Sequence, residues 1–234
     1  MKLGRVALLG ANGKMGREII AVMESVRTKI EIKYFISKSK SSVKNWVTLG
    51  DIKPNAIDAI IDFSSPEAMS EALGWCVKNR VAFVSGTTGI SAKHEKQMDQ
   101  AAKVIPVFWA SNFSVGIALI NEMIKVFSNH PDFDFQIEEL HHRNKKDSPS
   151  GTAKTLQNHL EKIVKKDLPQ PISVRGGEIF GIHKIWAMSS TEIITIEHTA
   201  LNRRAFAEGA IQATAWLIGQ KSGKFTMQDL LRTP

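Results

Sequence analysis

One cysteine, Cys76, stands in 234 residues. A single thiol excludes an intrachain disulfide and any cysteine-rich zinc site, and it suits a reducing cytoplasm. No stretch approaches the roughly 18 uninterrupted apolar residues of a membrane-spanning helix. The N-terminus runs straight into a strand-like segment, without the basic patch, apolar stretch and small-residue cleavage site of a secretory signal. A cytoplasmic protein that does not engage a membrane is therefore expected. Aromatic residues make up only 7%, and no basic run exceeds three residues, which argues against nucleic acid as a partner. Internal repeats and low-complexity tracts are also missing.

What is present is globular. Hydrophobic residues account for 43% and charged residues for 23%, enough to bury a core in one large domain or two small ones. The net charge of +8 is unevenly spread. Residues 1–113 carry 16 basic and 10 acidic side chains, residues 114–205 carry 12 and 11, and residues 206–234 carry 3 and 2. The first part is the one suited to an anion such as a phosphate-bearing cofactor.

Periodicity divides the chain at the same place. Strand patterns at 2–9, 30–36, 57–63, 81–84 and 105–109 alternate with helical patterns at 14–26, 66–79 and 91–103. That rhythm predicts a parallel sheet covered on both faces. Cys76 falls on the apolar face of the second helix, with Met69, Ala72, Leu73 and Val77, and reads as a small core residue. The Ser/Lys-rich stretch 37–44 reads as a loop. Beyond residue 113 the order changes to a helix near 116–129, a strand near 134–140 and a polar loop from His141 to Ser150. A second helix begins at Gly151, strands follow at 183–189 and 191–198, and helices close the chain at 203–220 and 226–231. This predicts an α+β domain with a mixed or antiparallel sheet.

The first chemical signal is Gly10-Ala11-Asn12-Gly13-Lys14-Met15-Gly16, between the first strand and the first helix. Glycines permit a tight turn and let backbone approach a pyrophosphate, while the helix offers free N–H groups and its positive dipole end. The strand–loop–helix context is the one a dinucleotide fingerprint requires. The second strand then ends in Ile36-Ser37-Lys38-Ser39-Lys40. No acid is present there to hold the ribose 2′-hydroxyl of NADH, and Ser37 and Lys38 suit a 2′-phosphate. NADPH is the expected cofactor, with NADH as the alternative. Two more turns, Gly86-Thr87-Thr88-Gly89 and Ala110-Ser111-Asn112-Phe113, follow parallel strands at the rim where open α/β sheets bind ligands.

The most informative segment is EELHHRNKKDSPSGTA, residues 138–153. His141, His142, Arg143, Lys145 and Lys146 crowd six positions. Ser150 is placed to cap the helix that follows, so that the N–H groups of Gly151 and Thr152 form a carboxylate site beside proton donors. Such a cluster suits reduction of an acidic, unsaturated substrate, with a cation drawing the hydride and a donor delivering the proton. A metal at the two histidines is not expected, because strand neighbours point to opposite faces and no third ligand has matching spacing.

Taken with GANGKMG, DFSSPE, GTTG, ASNFSVG and ITIEHTALNRRAFAEGAIQATAWL, that segment resembles the 4-hydroxy-tetrahydrodipicolinate reductase (dihydrodipicolinate reductase) family over the whole chain. The resemblance implies an α/β fold in which a Rossmann-like parallel sheet (1–113 with 206–234) binds NADPH or NADH, and an α+β domain (114–205) binds a cyclic dicarboxylate and joins a homotetramer. It implies that Gly10 to Met15 bind the pyrophosphate, and that Gly86, Thr87, Thr88, Ala110, Ser111, Asn112 and Phe113 line the nicotinamide side. It further implies that His141 is a proton donor or acceptor, Lys145 a proton donor, His142 a substrate contact, and Gly151 and Thr152 a carboxylate holder. Domain closure is expected near 113–116 and 203–206. Two departures stand out. The chain is cut down before residue 57 and before Val174, and Ile182, between Gly181 and His183, replaces an acidic residue of the family pattern. Another NAD(P)-linked amino-acid dehydrogenase and a non-catalytic NAD(P)H sensor are the competing readings.

Overall fold

The computed structural model of the protein describes residues 3–36, 45–53 and 55–232. The chain begins with β1 (Gly4–Leu9), α1 (Lys14–Ser25), β2 (Ile30–Ile36), β3 (Trp46–Val47), β4 (Ala59–Asp62) and α2 (Pro66–Asn79). It continues with β5 (Ala82–Ser85), α3 (Ala92–Ala101), β6 (Pro106–Trp109), α4 (Val115–Met123), β7 (Asp134–His141) and α5 (Gly151–Val164). Last come β8 (Ile172–Arg175), β9 (Gly181–Met188), β10 (Ile193–Ala200), α6 (Arg204–Leu217), β11 (Gly223–Phe225) and α7 (Met227–Leu231). Two compact units result, one of residues 1–113 with 206–234 and one of residues 114–205.

The first unit holds a seven-stranded sheet in the order β11-β6-β5-β4-β1-β2-β3, parallel throughout. β4 and β5 are buried along their whole length, as expected of strands covered on both faces. α2 shows how local chemistry sets a boundary. Ser65 accepts a hydrogen bond from the Ala68 N–H, Pro66 occupies the first helical position, and Arg80 ends the helix in the left-handed region. Its inner face of Met69, Ala72, Leu73 and Cys76 joins Ile60, Phe83, Met98 and Val107 in one core. Cys76 is completely buried, and burial pushes its thiol pKa well up, so the sulfur is a core atom.

From β1 the chain runs outward on one side through β2 to β3, then returns to place β4 on the other side of β1. The switch point therefore lies at the carboxyl ends of β1 and β4, where α/β sheets bind ligands.

The second unit is a four-stranded sheet, β10-β9-β7-β8. β7 and β8 are parallel and the other pairs antiparallel, so of the mixed or antiparallel sheet expected from the sequence the mixed form is present. β7 and β9 alternate buried and half-buried residues. Their inner face, with Phe135, Ile137, Ile185 and Ala187, packs against Leu156, Leu160 and Val164 of α5.

Differences from the sequence reading are local. β3 and β11 were not anticipated because two or three residues carry too little alternation to register, and β8 because its four residues lack the continuous apolar run of the buried strands. The helix after residue 114 tightens to 3-10 geometry over Ile124–Asn129. β10 begins at Ile193 because Ser189 Oγ accepts from the N–H groups of Thr191 and Glu192 and closes a turn there. Among the described residues no helix is long and apolar enough to cross a membrane.

Candidate active site

In the first unit, the three sequence-marked turns stand at the carboxyl end of one sheet. Gly10 has φ +85°, and a Cβ there would lie 2.2 Å from the Phe63 carbonyl oxygen. Only glycine lets the turn after β1 pass the turn after β4. α1 then starts at Lys14, preceded by Gly13 with no side-chain cap, and has no acid in its first turn. An uncapped, positively polarised helix end beside a glycine cradle fits a pyrophosphate. The chain therefore has the backbone that a bound dinucleotide needs.

The turn after β5 is held against the same point. A Cβ at Gly86 would fall 2.1 Å from the Phe63 ring. Asp62, fully buried at the end of β4, accepts from Ser85 Oγ at 2.7 Å and Thr87 Oγ1 at 2.7 Å. It also accepts from the Ser64 N–H at 3.1 Å and from the Ser64 hydroxyl. Burial raises the Asp62 pKa, against these hydrogen bonds. The Trp109 indole donates to the Thr87 carbonyl at 3.2 Å, tying in the turn after β6. Two expected cofactor contacts are thus committed inward. The Thr87 hydroxyl is spent on Asp62, and the Phe113 ring is buried between Phe63 and Phe108, so their backbones are what remains to face a ligand. Ala11 is likewise buried, whereas Asn12, Gly13, Lys14, Thr88 and Ser111 are exposed. A cavity of about 540 Å³ beside β1 and β2 is lined by Leu9, Ile36, Thr48, Leu49, Glu67 and Glu71, among others. Ser37 and Lys38 lie outside the described residues.

In the second unit, His141 ends β7 with only 8% of its surface exposed. Its Nδ1 is hydrogen-bonded to Glu139, two residues back on the same strand face. Glu139 is fully buried. It takes a two-pronged contact from Arg175, at 2.6 and 3.0 Å, and accepts from the Ser150 N–H at 3.2 Å. Burial opposes ionisation of Glu139, but the hydrogen bonds from Arg175 and His141 prevail and hold its pKa at about 2. Burial lowers the His141 pKa, Glu139 opposes that, and Lys145 and Arg175 add to it. His183 stands edge-on to His141, ring centres 5.2 Å apart. Burial and the neighbouring His141 bring the His183 pKa down to about 4.

Ser150 caps α5 by accepting from the Ala153 N–H at 3.2 Å, and its hydroxyl meets His183 Nε2 at 3.3 Å. Lys145 pairs with Asp147 at 2.8 Å. The Asp147 pKa is lowered: burial acts the other way, and the hydrogen bonds from Lys145 and the Gly151 N–H outweigh it. Gly151 is exposed and Thr152 half-buried at the first turn of α5, next to Asp147 and Lys145 in the chain. His142 is half-buried, and its carbonyl accepts from the Lys145 N–H at 3.1 Å, which turns the loop so that Lys145 follows the histidines closely.

Glu139 and Arg175 were missed in sequence. Their signal was the i, i+2 spacing of Glu139 and His141 on one strand; Arg175, the register partner of His141 on β8, had none. Ile182 is half-buried and alternates with buried Gly181 and His183 along β9, so its side chain points away from the His141 face. Among the described residues no three His, Cys, Asp or Glu side chains are grouped to hold a metal ion.

Phosphate-binding backbone in one unit, with proton donors beside a helix start in the other, are the needs of a nucleotide-dependent reductase acting on an acidic substrate. Comparison with known proteins narrows this. Residues 4–113 match the model for the N-terminus of dihydrodipicolinate reductase, and residues 116–231 match that for its C-terminus. The 4-hydroxy-tetrahydrodipicolinate reductase of Bdellovibrio bacteriovorus is 46% identical over 231 residues, covering 99% of this chain and 97% of the relative. That of Rickettsia canadensis is 36% identical, covering 97% and 98%. The chain belongs to the dihydrodipicolinate reductase family, NAD(P)H-dependent oxidoreductases of lysine biosynthesis. Among solved structures, dipicolinate-bound dihydrodipicolinate reductase from Paenisporosarcina sp. TG-14 shares the fold, with a TM-score of 0.80 at 22% identity over 96% of this chain and 97% of that one.

Proposed function

We propose that the chain reduces 4-hydroxy-tetrahydrodipicolinate to tetrahydrodipicolinate in the cytoplasm, using NADPH in preference to NADH. The observation that carries the reading is the Glu139-anchored His141, with Lys145 four residues on and the start of α5 beside them. Loss of the 4-hydroxyl as water leaves a conjugated ring, to which the reduced nicotinamide, when bound, supplies the hydride. Gly10, Ala11, Asn12, Gly13, Lys14 and Met15 hold the pyrophosphate, with the uncapped α1 behind them. The backbones of Gly86, Thr87, Thr88 and Ala110 to Phe113 shape the nicotinamide side. Lys145 and His141 supply and hold the proton, and His142 contacts the substrate. Ser150, Gly151 and Thr152 hold a substrate carboxylate beside Lys145. An ammonium at that point stabilises the negative charge that develops as hydride arrives.

The test is a coupled assay in which dihydrodipicolinate synthase generates the unstable substrate and nicotinamide absorbance is followed. Synthase-dependent oxidation, faster with NADPH than with NADH, is expected. Ser37 and Lys38 argue for the phosphate, while Glu67 and Glu71 at the nearby cavity would repel it, so faster oxidation of NADH would overturn the preference. Oxidation of neither cofactor, from folded protein that binds NADPH, would overturn the reaction itself. It would leave an amino-acid dehydrogenase or a sensor.

Assembly as a homotetramer through the second unit belongs to the same reading. β10 closes one edge of its sheet, and Ile193, Ile194 and Leu201 along it, with Leu119, Met123 and Val126 near α4, are exposed. An uncovered edge strand with apolar neighbours favours association. Sedimentation velocity is expected to show a four-chain species. A monomer at micromolar concentration would reject it.

A further inference from the structure

The chemistry available to His141 depends on which of its two nitrogens is free. Glu139 is held ionised by Arg175 and is fully buried. An ionised carboxylate only accepts hydrogen bonds, so Nδ1 must carry its hydrogen whether the ring is neutral or charged. Only Nε2 is then left to take or give a proton. The backbone on that side leaves room for it. Gly181 of β9 lies beside the ring, and a Cβ there would come within 3.1 Å of Nε2. Glu139 is itself restrained from three directions, by Arg175 from β8, by the Ser150 N–H at the start of α5, and by His141. The other charged or titratable groups acting on this cluster are Lys145 from the loop, His183 from β9 and His198 from β10.

We propose that Glu139 and Arg175 are positioning residues that fix His141 as its Nδ1–H tautomer and present Nε2 to the reacting group. Arg175 acts through Glu139, keeping it ionised and unable to turn away. The inference rests on the reading of His141 as the proton carrier, but its test does not depend on turnover.

Two-bond ¹H–¹⁵N spectra of the full chain labelled at histidine report each ring nitrogen directly. In the wild-type protein near pH 8, His141 is expected to show a protonated Nδ1 and a bare Nε2. The double variant Glu139→Met with Arg175→Met removes both buried charges together, so neither is left without its partner. It should release His141 toward the Nε2–H form and lower kcat by ~10-fold or more, with the KM for NADPH little changed. Glu139→Asp, which keeps the charge but withdraws the carboxylate by one methylene, should give a mixed tautomer and an intermediate kcat; it stands in if the double variant does not fold. A wild-type His141 protonated at Nε2, or a released variant that keeps wild-type kcat, overturns the proposal. A wild-type protein with the expected tautomer but no reductase activity would instead fail the reaction assigned above and leave the tautomer assignment standing.

Discussion

Lys145→Ala is expected to lower kcat by ~10²–10⁴-fold while changing NADPH affinity by less than about twofold. Lys145 lies on the loop between β7 and α5, in the second unit, and pairs with Asp147 at 2.8 Å. The turns assigned to the dinucleotide belong to the first unit. On the proposed reading its loss removes the ammonium that serves the reacting ring and changes no residue of the first unit's glycine cradle. His141→Ala should fall in the same range. The two losses should not multiply in the double variant, because groups that share one proton transfer act as a unit. Stopped-flow hydride transfer and equilibrium NADPH titration check both halves. Turnover near wild type in Lys145→Ala would remove Lys145 from the mechanism, and a large loss of NADPH affinity would make its role structural.

How much of this was legible beforehand follows from sequence distance. The glycine cradle, the capped start of α5 and the histidine–lysine cluster each lie within a dozen residues, so spacing alone exposed them. The parallel sheet was legible from the strand–helix rhythm, and a mixed or antiparallel sheet from its loss after residue 113. Asp62 was hidden because its partners Ser85 and Thr87 are more than twenty residues away. Arg175 was hidden more deeply. It reaches Glu139 across 36 positions, through a four-residue strand whose alternation is too short to see. Burial that turns Thr87 and Phe113 inward is equally invisible in sequence, since a threonine after glycine and a phenylalanine after asparagine read as turn residues until the neighbouring strands are in place.

The same buried groups make the fold sensitive to acid, and the sign can be worked out for each. His183 is 5% exposed, and its pKa falls from 6.5 to about 4, chiefly through burial. Below pH 6.5 the unfolded chain takes up a proton that the folded chain refuses, so the stability present above that pH is lost as pH falls toward 4. The shift corresponds to about 3 kcal/mol. His141, His159 and His198 are shifted the same way, each with burial as the leading cause, and add to the loss below pH 6.5. Glu139 takes over below it. Its pKa drops from 4.5 to about 2 because the Arg175 and His141 hydrogen bonds prevail over burial. Its contribution is full above pH 4.5 and disappears as pH falls toward 2. Against a usual total of about 5–15 kcal/mol, these losses take a substantial part of the margin. Urea unfolding at a series of pH values should show stability falling steadily from pH 6.5 to 4, and His183→Asn should flatten that slope. An unchanged slope in the variant, or no slope in the wild type, would mean that His183 is protonated inside the fold and that its surroundings are not the dry ones described for β9.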